Sequence, residues 1–230
     1  MNKTRAAKRG EEGEKIVDSL LNKDTSFHRL INNLVLLGEN GVSHQIDHIL
    51  IRSNGIFVIE TKNYYGEIKG HEDDSFWTRS YFVKGKKKTA TFHNPLKQNQ
   101  SHIRIIKRII GKDYPIYCFV TFIQNNANSL DFFNVCNVDS LLNRINMITS
   151  DKEIKNQEIE IINNLLLMNE ADINNEQHIS KVKVAEKDRK EYQKKIRLAI
   201  EKRICPNCGK TLVIKNGQLV CPFCGISIKI

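Results

Sequence analysis

Asp47, Glu60 and Lys62 are the residues whose types and spacing could do chemistry. They stand in two neighbouring segments, Gln45-Ile46-Asp47-His48-Ile49-Leu50-Ile51 and, after Ser53-Asn54-Gly55, Ile56-Phe57-Val58-Ile59-Glu60-Thr61-Lys62. Two carboxylates and an ammonium are the minimum set for metal-assisted cleavage of a phosphodiester. Mg²⁺ is a hard cation that prefers oxygen ligands in octahedral geometry. Asp47 and Glu60 would supply carboxylate oxygens, and the Thr61 carbonyl could supply a third. A metal held there would polarise the scissile phosphate and lower the pKa of an attacking water. Lys62 could orient that water or neutralise charge developing on the phosphoryl oxygens. The plainer alternative is a surface Asp and a cross-strand Glu–Lys pair on a solvated face. Against it, Ile49, Ile51, Ile56 and Val58 share the acidic face, which sets the polar groups at the edge of an apolar surface.

The element that must position the trio is a β-hairpin. Side chains in a strand alternate faces. Asp47, Ile49 and Ile51 therefore share one face, and Val58, Glu60 and Lys62 share one face of the returning strand. Asn-Gly between apolar runs is a strong hairpin signal, because a type I′ turn needs φ > 0 twice. With Asn54-Gly55 as the turn, Ile49 sits opposite Glu60 and Asp47 opposite Lys62, and the three polar groups converge. A pairing shifted by two positions keeps that result, whereas a three-residue loop breaks it.

Two helices flank the hairpin in sequence. Residues 10–22 read as a helix with Ile16, Val17, Leu20 and Leu21 on its apolar stripe and Glu14 at the stripe's edge. Glu14 is a candidate extra metal ligand or ligand positioner; the alternative is a favourable charge near a helix N-terminus. Asn94-Pro95 precedes a second helix over 96–110, with Ile103, Ile106 and Ile110 at core spacing. On it Gln98 could bind a phosphate or the attacking water, although surface glutamines are common. Strands are expected over 30–37, 66–77, 79–84, 117–122 and 132–138, and helices over 140–147 and 153–168. Lys84-Gly85-Lys86-Lys87-Lys88 reads as a basic loop that either tracks a phosphate backbone or is a solvated turn. His44 and His48 would face away from the acidic patch if the alternation holds.

The six cysteines divide. Cys118 and Cys136 stand alone in apolar surroundings and read as buried, reduced core residues. Cys205-Pro206-Asn207-Cys208-Gly209 and Cys221-Pro222-Phe223-Cys224-Gly225 are two knuckles of one pattern. They predict a closed Cys₄ zinc site with a structural role, in preference to disulfides or a redox pair. Residues 212–214 and 219–220 read as the ribbon strands. So small a module should depend on its metal.

The chain has 36 Lys+Arg against 26 Asp+Glu, a formal net charge of +10. That suits a polyanionic partner such as nucleic acid, and taken alone it equally suits a generically basic protein. No apolar run approaches a membrane span of roughly 18–20 residues. The basic N-terminus lacks the apolar core of a secretion signal, so a cytoplasmic location is the default expectation. Residues 169–203 are charged and free of Gly and Pro. They read as a linker, helical over 184–202, between a domain over 1–168 and a zinc module over 204–230.

Gly13-Glu14, Gln45-Ile46-Asp47-His48-Ile49, Gly55-Ile56-Phe57-Val58-Ile59-Glu60-Thr61-Lys62-Asn63, Gly66, Trp77 and Asn94-Pro95 with Gln98 together resemble the nuclease-related domain (NERD) family. That family is placed in the PD-(D/E)xK nuclease superfamily. The resemblance covers roughly residues 8–125. It implies an α/β fold with a mixed central sheet flanked by helices, the PD-(D/E)xK restriction-endonuclease-like core. It also implies that Glu14, Asp47, Glu60 and Lys62 are the site residues, with Gln98 auxiliary. The C-terminal module resembles the zinc ribbons of type IA topoisomerases. The expectation is a Mg²⁺- or Mn²⁺-dependent deoxyribonuclease whose ribbon assists nucleic-acid binding, with a role in plasmid biology, restriction or defence. The competing expectations are a non-catalytic nucleic-acid-binding adaptor, or a ribbon that recruits a protein partner.

Overall fold

The computed structural model describes residues 4–38, 41–124, 126–171, 191, 194–195, 198, 200–215, 217–225 and 227–229. The chain divides into two compact units, Met1–Asp172 and Ile173–Ile230. In the first, the elements run α1 (Arg5–Leu21), β1 (His28–Leu37), β2 (Ser43–Arg52), β3 (Gly55–Lys62), β4 (Glu67–Lys69), β5 (Phe76–Val83), β6 (Lys86–His93), α2 (Pro95–Ile110), β7 (Ile116–Phe122), β8 (Val135–Asn137), α3 (Leu141–Asn146) and α4 (Asn156–Met168).

The main sheet has the order β1-β2-β3-β7-β8. β1, β2 and β3 are antiparallel neighbours, while β3, β7 and β8 run parallel. β3 is the middle strand and is buried from Gly55 to Glu60, which explains its unbroken apolar run. On one face, Ile105, Ile106 and Ile110 of α2 and Ile159, Ile162 and Leu166 of α4 cover Ile49, Ile51, Ile56 and Val58. On the other, Val17 and Leu21 of α1 and Leu141 and Ile145 of α3 cover Leu50, Phe57, Ile59 and Phe119. Each such side chain, fully buried, contributes about 1.5–3 kcal/mol. The result is a mixed α/β fold with a central mixed sheet between helices, a nuclease-like core.

Several local expectations need correction. α1 starts five residues early, because the Thr4 hydroxyl caps it by accepting the Ala7 N–H at 3.3 Å. Its buried stripe is Gly13, Val17 and Leu21, and Ile16 is 45% exposed. On α2, Ile103 is only half-buried, and Ile105 takes the core position. The β2–β3 turn is Ser53-Asn54, with Arg52 opposite Gly55. Asn54 is not left-handed. Its amide instead donates to the Ile145 and Ile148 carbonyls, at 3.2 and 3.0 Å, where α3 ends. Cys136 is buried, but Cys118 is half-buried, and burial pushes its thiol up to about 12.

β4, β5 and β6 form a separate antiparallel sheet. Ile68 and Trp77 anchor it on Leu96, Val120 and Phe122. The strand expected over 66–77 is two strands. The turn expected over 84–88 is only Lys84-Gly85, with φ of 48° and 74°, the left-handed pair of a type I′ hairpin. Lys86, Lys87 and Lys88 therefore belong to β6. α4 begins at Asn156 rather than 153, where the Lys155 N–H donates to the Glu158 carboxylate at 3.0 Å.

In the second unit, residues 191, 194–195, 198 and 200–202 are helical, and the rest of the helix expected over 184–202 lies outside the described residues. β9 (Val213–Lys215), β10 (Gln218–Val220) and β11 (Ser227–Lys229) make a three-stranded antiparallel sheet, one strand more than expected. Leu212, Leu219 and Ile228 pack with Cys205 and Cys221 in its small core. Among the described residues, no helix is long and apolar enough to cross a membrane.

Candidate active site

Asp47 owes its position to a break in strand alternation. β1 and β2 keep one register from His28 opposite Arg52 to Leu37 opposite Ser43, but the ladder skips Asn33 and Asp47. Asn33 is left-handed, with φ of 55°. Strict alternation from Leu30 and Leu50 would put Leu34 and Ile46 on the α1 side. They lie instead in the α2–α4 core with Ile31 and Ile49. The faces switch at Asp47. His48, paired with Asn32 across the ladder, has its Nδ1 2.7 Å from Asn32 Oδ1. His44 does not face away as expected; its ring lies 5.8 Å from that of His102 on α2.

The pairing of β2 with β3 is also two positions from expectation. Ile49 faces Val58 rather than Glu60, and the ladder ends at His48 opposite Ile59. Asp47 reaches β3 past the end of the ladder, its Oδ2 accepting the Thr61 N–H at 2.8 Å. Glu60 is 3% exposed. It forms an ion pair with Lys62 and lies 4.0 Å from His102 Nδ1. Lys62 Nζ also donates to Gln98 Oε1 at 3.3 Å. α1 comes close enough to add Glu14 because residue 13 is glycine. A Cβ there would sit 3.0 Å from Asn63 Cβ and 3.2 Å from Ile123 Cγ1. The structure thus brings Glu14, Asp47, Glu60, Lys62 and Gln98 together at the C-terminal end of β3.

The electrostatics of the cluster are those of crowded carboxylates. Burial, then the Glu60 charge, raises the Asp47 carboxyl well above its ordinary value, and Lys62 and the Thr61 amide only partly offset this. Burial raises Glu14 as well, helped by Glu11 and Glu60. Burial alone would lower Lys62, but the Glu60, Tyr64 and Asp47 charges more than compensate, so its ammonium is held firmly protonated. Crowding of this kind is relieved by a cation. Two carboxylates plus substrate oxygens and waters are a usual protein share of a Mg²⁺ shell, so this hard oxygen set fits that ion.

Two buried polar residues beside the site escaped the sequence reading. Asn99, fully buried on α2, donates to the Val58 and Phe119 carbonyls at 2.6 and 2.9 Å, tying the helix to β3 and β7. His102 is 3% exposed and flanks Glu60. Burial lowers it to about 4, against the pull of Glu60, so it is neutral at pH 7. The only hint was their spacing from Ile106 on the inward face.

In the second unit, Cys205, Cys208, Cys221 and Cys224 place their sulfurs within 4.8 Å of one another. Cys205 Sγ is 3.5 Å from Cys224 Sγ, and Cys208 Sγ is 3.4 Å from Cys221 Sγ. Disulfide sulfurs would lie about 2.05 Å apart, whereas tetrahedral thiolates about 2.3 Å from a zinc leave separations of this wider kind. Four thiols and no carboxylate are a soft donor set that fits zinc. Among the described residues this is the one group of three or more His, Cys, Asp or Glu side chains that converge so closely.

Comparison with known proteins agrees with the geometry. The profile described as "Nuclease-related domain" matches residues 9–123, the span from α1 to the end of β7 that builds the cluster. An uncharacterised protein of Bacillus anthracis is 38% identical over 115 residues, covering 50% of this chain and 52% of that protein. The chain thus spans about half the length of the curated relative it matches. No solved structure matches the chain. With half its length matched by the profile and the matched half carrying the carboxylate cluster, the chain belongs to the nuclease-related domain (NERD) family.

Proposed function

We propose that this protein is a Mg²⁺- or Mn²⁺-dependent nuclease that hydrolyses phosphodiester bonds of DNA. The observation that carries the reading is the convergence of Asp47, Glu60 and Lys62 at one end of the middle strand, with the Asp47 carboxyl raised by burial and by the Glu60 charge. Asp47 and Glu60, with the Thr61 carbonyl, would hold the metal, and Glu14 would support them. When bound, the metal would supply Lewis-acid polarisation of the phosphate and a water of lowered pKa. Lys62, held between Glu60 and Gln98, would orient the attacking water and neutralise charge on the phosphoryl oxygens. The Cys₄ cluster would hold a structural zinc, and its module would assist nucleic-acid binding.

The test is cleavage of supercoiled, linear and single-stranded DNA with Mg²⁺ or Mn²⁺ by the wild type and by Glu60→Ala. The expected result is metal-dependent cutting by the wild type alone, with both proteins folded and both binding DNA. Binding without cutting by either protein would replace the nuclease reading with that of an adaptor on a nuclease-like scaffold.

A further inference from the structure

The β5–β6 ribbon has a charge pattern that the site itself does not account for. From Ser75 to His93 the sequence contains Arg79, Lys84, Lys86, Lys87 and Lys88 and no Asp or Glu. Among the described residues, none of these five cations has a carboxylate partner. The register sorts them by face. Tyr81 lies opposite Lys88 and Val83 opposite Lys86, while Phe82 lies opposite Lys87. Residues opposite one another point to the same side. Arg79, Tyr81, Lys86 and Lys88 therefore continue the face whose base is Trp77 and Phe92, and Lys87 points the other way.

That face leads back to the carboxylate cluster. Tyr64 follows Lys62 by two residues and contributes to its charge environment. Its ring meets Phe92 edge-on, with centroids 4.9 Å apart. The Arg79 guanidinium lies 4.9 Å from the Tyr64 ring and 4.8 Å from the Tyr81 ring. Among the described residues no acceptor takes up the Arg79 guanidinium N–H groups, which leaves them free to donate. Next along the face come Lys88 and Lys86, both exposed. From Arg79 to Val83 the ribbon extends about 14 Å at roughly 3.4 Å per residue. Alternating aromatic rings and unpaired cations form a surface suited to a polynucleotide backbone.

We propose that this face of the β5–β6 ribbon is a track for the DNA strand leaving the cleavage site, with Arg79, Lys86 and Lys88 contacting successive phosphates. That the track starts at the site of cutting rests on the function proposed above; that it binds DNA does not. The ordinary reading of lysines on an edge strand is protection against pairing with another sheet, and that role would be indifferent to face.

The experiment measures binding of fluorescent 30-base-pair and single-stranded DNA to the full chain by anisotropy, in EDTA, across a range of salt. It compares the wild type, Lys86→Gln/Lys88→Gln and the opposite-face control Lys87→Gln. Each phosphate contact contributes about 0.7–0.9 to the salt slope. The double variant should therefore lower the slope by roughly 1.4–1.8 and weaken binding at least tenfold near 50 mM salt, while Lys87→Gln leaves both near wild type. An unchanged double variant overturns the proposal, and so does an equal effect per lysine on both faces. EDTA keeps this separate from catalysis: a wild type that binds through this face but never cuts sinks the nuclease reading and leaves the track standing.

Discussion

The Asp47 carboxyl ties stability to the proposed metal site at the scale of one residue. Its pKa is raised in the folded protein, so folding favours the protonated form. That contribution is complete below the ordinary value of 3.8 and is lost as pH rises through the folded value. Ionising this carboxyl without metal is therefore a cost. Asp47→Asn should raise Tm in EDTA, by about 2–4 °C for each kcal/mol relieved, and should abolish the further rise that Mg²⁺ gives the wild type. Differential scanning fluorimetry with and without metal checks both. The buried histidines act in the opposite sense. His48 and His102 are each lowered to about 4 by burial, from 6.5. Their contribution is present above about 6.5 and is lost as pH falls towards 4. Urea midpoints should fall across that window, and His48→Gln/His102→Gln should flatten the fall. Lys62→Ala, which removes the ammonium paired with Glu60, should cost about 10²–10³ in kcat, measured with saturating DNA and Mn²⁺.

Among the elements, the hairpin and its partner sheet were legible to different depths. β3 could be read because Ile56 to Ile59 is apolar on both faces and Glu60 ends the run, which only a middle strand explains. The break at Asp47 could not, because Gln45-Ile46-Asp47-His48-Ile49 alternates cleanly by itself. The switch is made by the left-handed backbone of Asn33 in the facing strand, a pairwise property. The turn chemistry misled for a related reason. Asn54-Gly55 has the composition of a type I′ turn, but Asn54 is drawn to the end of α3, while the real I′ turn, Lys84-Gly85, was hidden in a run of charge. Gly66 marks where the second sheet joins the first unit's core. With φ of 95° and an added Cβ only 2.2 Å from the Ser80 carbonyl oxygen, it has no room for a side chain. Gly66→Ala should cost about 2–4 kcal/mol, read from urea unfolding. Because β4 and β5 carry Ile68 and Trp77, the loss should also appear as a changed fluorescence of the single tryptophan.

Across the whole molecule, the two units carry different donor sets, a hard oxygen cluster in the first and four thiols in the second. Among the described residues, the Cys₄ unit buries only Leu212, Leu219 and Ile228 beside its cysteines, and so small a core leaves a module dependent on its metal. One zinc per chain by elemental analysis is the expected content. A high-affinity zinc chelator, or Cys205→Ser, should unfold this unit while leaving the Trp77 emission of the first unit unchanged, since that residue lies in a separate core. The first unit has a different dependence, set by its mixed sheet. β3 pairs with β7 from Ile56 opposite Ile116 to Lys62 opposite Phe122, so the strand bearing Glu60 and Lys62 lacks one neighbour until some sixty further residues exist. During synthesis the ribosome therefore delivers every carboxylate of the cluster well before it delivers the strand that holds them in place. Through that interval a growing chain carries the cluster's residues without their frame, and the frame is complete only when β7 docks on β3.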